Sequence, residues 1–278
     1  MTPIARALGR RRLAALLPLA ILGASILGTG IASATDAPVA PATITAEEAH
    51  MVSLLNADRT ALGLIPVRVD ARLMAIARAR SADMVAKNYF SHTQPDGRNV
   101  FDILTASRIT WYSAGEIIAW NNYPIDSTTS AANHQWMGSP DHKAIVISPS
   151  FNYVGVGLAI DPATGVKLWT AVYMKGPDRT GARSAVARPT IRYATMTTRR
   201  VTLSWWGGDV RLQVLTAGLH SFVVQRKVDG GSWTGILKTT YRSAAWTIHT
   251  GHLNQYRVAA IDRAGNRGAW STVTIDLR

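Results

Sequence analysis

A chain of 278 residues, 47% of them hydrophobic, can bury an ordinary core, which excludes global disorder and leaves room for two modest domains. It has no cysteine, so a disulfide framework, a thiolate zinc site and a cysteine nucleophile are excluded. The net charge of +13 is unevenly spread: residues 35–177 carry 11 Lys or Arg against 12 Asp or Glu, whereas residues 178–278 carry 15 against five. A neutral half and a basic half imply different partners for each.

In chain order, Arg6, Arg10, Arg11 and Arg12 come first, followed by an uncharged apolar run from Leu13 to Ala32. Ala32-Ser33-Ala34 then offers small residues where a signal peptidase reads. The expectation is a signal peptide over 1–34, cleaved after Ala34, and export from the cell. The alternative is an uncleaved N-terminal membrane anchor, since about 20 apolar residues span a bilayer. Pro18, Gly23, Gly28 and Gly30 weaken such a helix. Residues 35–44 read as a Pro- and Ala-rich linker.

Thr45-Ala-Glu-Glu48 has the form of a capping box and predicts a first helix, stopped near Gly63. Asp70 is placed to cap a second helix, with Leu73, Ile76, Ala77, Met84 and Val85 on its apolar stripe and Asn88 as its terminator. A short helix is expected over 99–108, a strand over 111–120, and a fourth helix over 128–137, broken by Ser139-Pro140-Asp141. Tyr153 to Ile160 and Val166 to Met174 read as strands of a hairpin around the turn Asp161-Pro-Ala-Thr-Gly165. Helices outside a small antiparallel sheet place residues 45–177 in the α+β class.

Residues 178–189 contain Pro, Gly, Arg and Ser without periodicity and read as a linker. From residue 190 to 278 short alternating strands take over, at 201–205, 221–226, 255–261 and 271–275, which predicts an all-β sandwich. Trp111, Trp120, Trp136 and Trp169 are expected to fill the core of the first domain.

Chemistry concentrates between Phe90 and His142. Three phrases there, Phe90-Ser-His-Thr-Gln-Pro-Asp-Gly97, Ala114-Gly-Glu-Ile-Ile-Ala119 and Trp136-Met-Gly-Ser-Pro-Asp-His142, each set one metal-competent or proton-active side chain beside glycine, proline or serine. The expectation is that turns or element ends bring His92, Glu116 and His142 into one cleft. No nucleophile is marked: Ser91 is adjacent to His92 only in sequence, and Ser139 reads as a cap before Pro140.

Residues 48–175 resemble the CAP superfamily of cysteine-rich secretory, antigen 5 and pathogenesis-related proteins, closest to its cysteine-free bacterial branch. The resemblance rests on Asn56 to Arg59, Ser91-His92 with Pro95-Asp96-Gly97, Gly115-Glu116-Ile117-Ile118, Trp136 to His142, Gly155-Val156-Gly157 and Trp169. It implies an α-β-α sandwich and a cleft with two histidines and two acids, carried over to His92, His142 and Glu116. The second acid falls on His134. Family asparagines appear as Ile117 and Ile145, and the glycine before the second histidine is Asp141. Residues 190–278 resemble a fibronectin type III domain through Leu203-Ser204-Trp205, Tyr256-Arg257-Val258 and the run from Asp262 to Gly268 before Trp270.

Three readings of the cleft stand at this point. His92, His142 and Glu116, with His134 as fourth ligand or outer-shell donor, form a set suited to zinc or another divalent cation. The same groups suit acid–base work near neutral pH. They also suit a hydrogen-bonded core that ties loops to the sheet. The expected function is a secreted binding module for a lipid, glycan or peptide, with lipid binding implied by the resemblance. The alternative is a metal-dependent extracellular hydrolase. Arg199, Arg200, Arg211, Arg226, Lys227 and Arg242 mark the basic half for an anionic cell-wall polymer or membrane surface. Nucleic acid is a poor match for an exported protein.

Overall fold

A computed structural model describes residues 44–278. The expected signal peptide, its expected cleavage point and most of the expected linker fall outside the described residues.

The first helix begins where its cap chemistry requires. The Thr45 hydroxyl accepts from the Glu48 amide and the Glu48 carboxylate accepts from the Thr45 amide, opening α1 (Ala46–Thr60). Strand β1 (Arg68–Val69) is followed by α2 (Ala71–Ala86), whose N-cap is Asp70, and by α3 (Val100–Ala106), capped by Asn99. Then come β2 (Ser113–Asn121), α4 (Ile125–Gly138) and α5 (Pro140–Val146). The hairpin of β3 (Tyr153–Ile160) and β4 (Lys167–Lys175) closes this half.

The sheet order is β1-β3-β4-β2, with β2 at one edge. All pairs are antiparallel except β1 with β3, a departure from the expected purely antiparallel sheet. Alternation along the strands sends side chains to two helical layers. Ile117, Ala119, Trp169, Ala171 and Tyr173 share a cluster with Met51 and Leu55 of α1 and with Ala132 and Trp136 of α4. On the opposite face Val172 and Met174 pack with Leu73, Ile76 and Ala77 of α2 and with Val100 and Leu104 of α3. A Cβ on Gly155 would stand 2.1 Å from the Leu73 carbonyl carbon, and one on Gly157 would stand 2.2 Å from the Arg78 nitrogen. These two glycines let the backbone of α2 lie directly on β3. Trp136 and Trp169 are fully buried as expected, but Trp120 is 52% exposed.

The second half holds β5 (Arg183–Val186), β6 (Thr190–Thr195), β7 (Thr198–Gly208), β8 (Leu219–Val228), β9 (Thr234–Thr239), β10 (Ser243–His249), β11 (Leu253–Asp262) and β12 (Ser271–Asp276). One sheet runs β10-β7-β5, with β6 also on β7, and the other runs β12-β11-β8-β9. Val201, Leu203, Trp205 and Ile248 of the first sheet share a core with Phe222, Val224, Tyr256, Val258 and Ile275 of the second.

The segment 178–189 is not the loose linker its composition predicts. Arg183 to Val186 pair with β7, and Ala182 and Asp178 are buried. Leu212, from the loop between β7 and β8, is buried beside Leu73, Tyr153 and Met174 of the first half. The Ile65 amide donates to Gln213 Oε1 at 2.7 Å, and Asn152 Nδ2 donates to the Val214 carbonyl at 3.3 Å. The halves therefore meet through packed apolar and hydrogen-bonded contacts.

Candidate functional site

The site lies along the edge strand β2. Glu116 occupies the middle of that strand and faces α2, because it pairs with Val172 on the face that packs there. An ionised carboxylate on that face must be neutralised or hydrogen-bonded. Arg80 of α2 does both: its Nε donates to Glu116 Oε1 at 2.9 Å and its Nη2 to Oε2 at 3.4 Å. Arg80 Nη1 donates to the Tyr89 hydroxyl at 2.7 Å, and Nη2 also donates to the carbonyls of Ser91 and His92 at 2.8 and 3.1 Å. Burial alone would lower the Arg80 pKa, but the bonds to Glu116 outweigh it and hold it above its usual value.

His92 follows from this anchoring. With its backbone carbonyl held by Arg80, its ring Nδ1 lies 2.8 Å from Glu116 Oε2. A carboxylate facing an arginine accepts, so Nδ1 carries the hydrogen, and in the neutral form of the ring Nε2 offers a lone pair. The His92 side chain is 54% exposed while that of Glu116 is 3% exposed. The pair thus runs from the interior to solvent.

A further layer stiffens the loop. The Tyr89 hydroxyl donates to Asp83 Oδ2 at 2.6 Å, and Gln94 Nε2 donates to the same oxygen at 3.0 Å. Burial alone would raise the Asp83 carboxyl, but bonds from Lys87, Tyr89 and Gln94 hold it down at about 2.

His142 belongs to the same neighbourhood but makes no hydrogen bond to Glu116 or His92. It is the third residue of α5, since Pro140 starts that helix at its first position instead of merely ending α4. Its pKa lies below the usual value, first through burial and second through repulsion from His92 when that ring is protonated, with Asp141 acting in the opposite sense. His134 lies on α4 with an exposed side chain. The structure thus joins His92 to Glu116 directly, leaves His142 coupled through space and assigns His134 no bond to the others.

These residues do not fit the three-ligand metal set. Both Glu116 oxygens are engaged by Arg80 and His92. Among the described residues, the single trio of His, Asp or Glu with ligand atoms all within 4.8 Å of one another is Asp178, Asp209 and Asp262, remote from the cleft in sequence.

Beside the pair opens a pocket of about 280 Å³, lined by His92, Asn99, Val100, Phe101, Ala114, Gly115, Glu116, Ile145 and Phe151. Its walls come from α3, β2, α5 and the loop before β3. Gly115 and Ile145 fit closely, since a Cβ on Gly115 would lie 3.3 Å from Ile145 Cγ2. No lining residue carries a hydroxyl or thiol. The arrangement offers an apolar chamber with one imidazole as hydrogen-bond acceptor or proton acceptor at its rim.

The Asn-x-x-Arg phrase supports this chamber. Asn56 exchanges two hydrogen bonds with the Val67 backbone. Arg59, fully buried, donates from Nη1 to the carbonyls of Val146 and Ser148, each at 2.8 Å. It pins the turn that carries Phe151. Arg80 was missed in the sequence, although it left a signal: it shares the spacing of Leu73, Ala77 and Met84, and an arginine in an apolar stripe requires a buried acceptor.

Residues 52–173 match the family model described as the Cysteine-rich secretory protein family, CAP. The uncharacterized protein YkwD of Bacillus subtilis (strain 168) is 37% identical over 118 residues, covering 42% of this chain and 44% of its own. The uncharacterized membrane protein YlbC of the same strain is 30% identical over 114 residues, covering 41% of this chain and 32% of its own. The chain thus spans less than half the length of either relative. Among solved structures, an extracellular protein containing a SCP domain from Bacillus anthracis str. Ames aligns at 27% identity with a TM-score of 0.41, over 46% of this chain and 40% of that one. A cysteine-rich secretory protein from Staphylococcus aureus subsp. aureus Mu50 aligns at 16% identity and a TM-score of 0.38, over 46% and 38%.

Proposed function

We propose that this protein, whose residues 52–173 form a CAP domain, is an exported binding module that holds a small amphipathic ligand in the pocket beside His92 and Glu116. The observation that carries this reading is the combination of an apolar chamber and one outward-facing imidazole nitrogen fixed by a buried carboxylate. At about 280 Å³ the chamber lies just below the usual ligand range of roughly 300–1,000 Å³. It suits one segment of a lipid or a comparably small apolar group. Ile145, where the family carries asparagine, makes its wall more apolar. The hydrolase alternative lacks support from the geometry, since neither a metal set nor a nucleophile faces the chamber. Titration with a short fluorescent amphiphile tests the reading: Ile145→Trp fills the chamber and abolishes binding, and His92→Ala weakens it. Unchanged affinity in Ile145→Trp refutes the reading.

The second half is proposed to attach the protein to anionic cell-surface material. Its 15 Lys or Arg against five Asp support this. The fibronectin type III-like reading is supported by two antiparallel sheets packed over one core, four strands against four.

A further inference from the structure

The basic residues of the second half are not all equivalent. Five side chains form a continuous row. Lys227 Nζ lies 5.1 Å from the centre of the Trp233 ring, and the Arg257 guanidinium lies 4.4 Å from the same ring. Arg257 also lies 4.3 Å from the Trp270 ring, over which the Arg267 guanidinium stands at 4.6 Å. The row therefore reads Lys227, Trp233, Arg257, Trp270, Arg267.

Its place on the fold is set by strand register. Arg257 pairs with Gln225 on one side and Thr272 on the other, while Tyr256 and Val258 point into the core. Arg257 and Lys227 therefore share the outer face of the β12-β11-β8-β9 sheet. Arg257 Nε donates to Gln225 Oε1 at 2.7 Å, which fixes the central guanidinium. Among the described residues, none of Lys227, Arg257 and Arg267 forms an ion pair. The two cations that share one indole are at most about 9.5 Å apart, close to the Debye length of roughly 8 Å at physiological ionic strength. Three unneutralised charges at this spacing repel one another, and the two indoles offset only part of that repulsion.

We infer that this row is the contact surface for a linear, flexible phosphodiester polymer of the polyol-phosphate kind, lying along the sheet with successive phosphates on Lys227, Arg257 and Arg267. The inference rests on the proposed attachment to anionic surface material and names the place and the chemistry. Charge complementarity selects the polyanion, and ammonium and guanidinium groups are the usual phosphate binders. The indoles select against nucleic acid. Each ring already lies within about 5 Å of two cations, which compete with a base for its faces. The same occupancy disfavours a neutral glycan.

The test compares the full chain, a row variant (Lys227→Gln, Arg257→Gln, Arg267→Gln) and a control variant away from the row, on β7 and in the turn before β10 (Arg199→Gln, Arg200→Gln, Arg242→Gln), each confirmed as folded by circular dichroism. Binding to a purified glycerol-phosphate polymer is measured across salt concentrations, with tryptophan emission as a second readout. The row variant is expected to lose at least about tenfold in affinity and roughly one unit of salt slope per removed cation. The control is expected to keep its affinity for the polymer. Affinity retained in the row variant but lost in the control overturns the row and leaves surface attachment standing. No binding by the full chain at low salt overturns both. Tighter binding to a single-stranded oligonucleotide of equal charge, or binding confined to anionic-lipid vesicles, overturns the polymer assignment.

Discussion

Arg80 and Glu116 form the most enclosed ion pair among the described residues, with side chains 1% and 3% exposed and Nε 2.9 Å from Oε1. The pair supports both the carboxylate that orients His92 and the two backbone carbonyls of the loop that carries it. Arg80→Met leaves a buried, unpaired carboxylate, and the expected loss is about 3–5 kcal/mol. Glu116→Gln in the same background removes that charge and recovers part of the loss. Chemical denaturation of the four proteins of this cycle checks the expectation; a double variant no more stable than Arg80→Met contradicts it.

His142 gives the cleft a pH response whose sign is fixed. Its folded pKa is below the usual 6.5, through burial first and the field of His92 second. A histidine of this kind binds its proton more weakly when folded than when unfolded. Its contribution to stability is therefore complete above about 6.5 and falls as pH drops toward the lowered value. His92→Gln removes the neighbouring charge, and the His142 titration should move up toward 6.5, read from the imidazole resonances by NMR. A titration unmoved by His92→Gln means that the two rings do not interact.

How much of this was legible in the sequence depends on the range of the interaction. Thr45 with Glu48, and Asp70, were readable because a cap bonds within three residues, and both open the expected helices; Asn99, expected as the first residue of a helix, is instead its cap. His142 was placed in a turn because Ser139-Pro140 reads as a helix end; proline serves equally well as a first helical residue, and both helices meet there. The bond between Arg80 and Glu116 spans 36 residues and depends on α2 crossing the sheet so that Arg80 reaches the edge strand β2, which no local pattern states. Strand β6 was missed because Thr190 to Thr195 are all exposed and show no alternation of burial.

The path by which α2 reaches Glu116 runs over two glycines. Gly157→Ala places a methyl group 2.2 Å from the Arg78 nitrogen, and no side-chain rotation relieves a clash with backbone. The expected cost is about 1–3 kcal/mol or more, with α2 pushed off β3 and Arg80 shifted from Glu116. Gly138→Ala, with nothing within 4 Å, is the matched control and should be nearly neutral. Thermal melts of both variants decide it, and equal melting temperatures would remove the glycines from the account of the site.

Arg59 links stability to the pocket from the other side of the sheet. It has no carboxylate partner among its hydrogen bonds, and burial lowers its pKa. Its value lies in the carbonyls of Ile65, Val146, Ser148 and Phe151 that it satisfies. Arg59→Leu orphans those acceptors at about 1–3 kcal/mol for each that water fails to reach. The turn from Val146 to Phe151 is then released, and Phe151 is a wall of the chamber. Amide exchange should accelerate around 146–152 well before global unfolding. Amphiphile affinity should fall in step with that local opening, while α2 and Glu116 keep their protection. Acceleration spread evenly over the domain would instead make Arg59 a general stabiliser without a specific tie to the pocket.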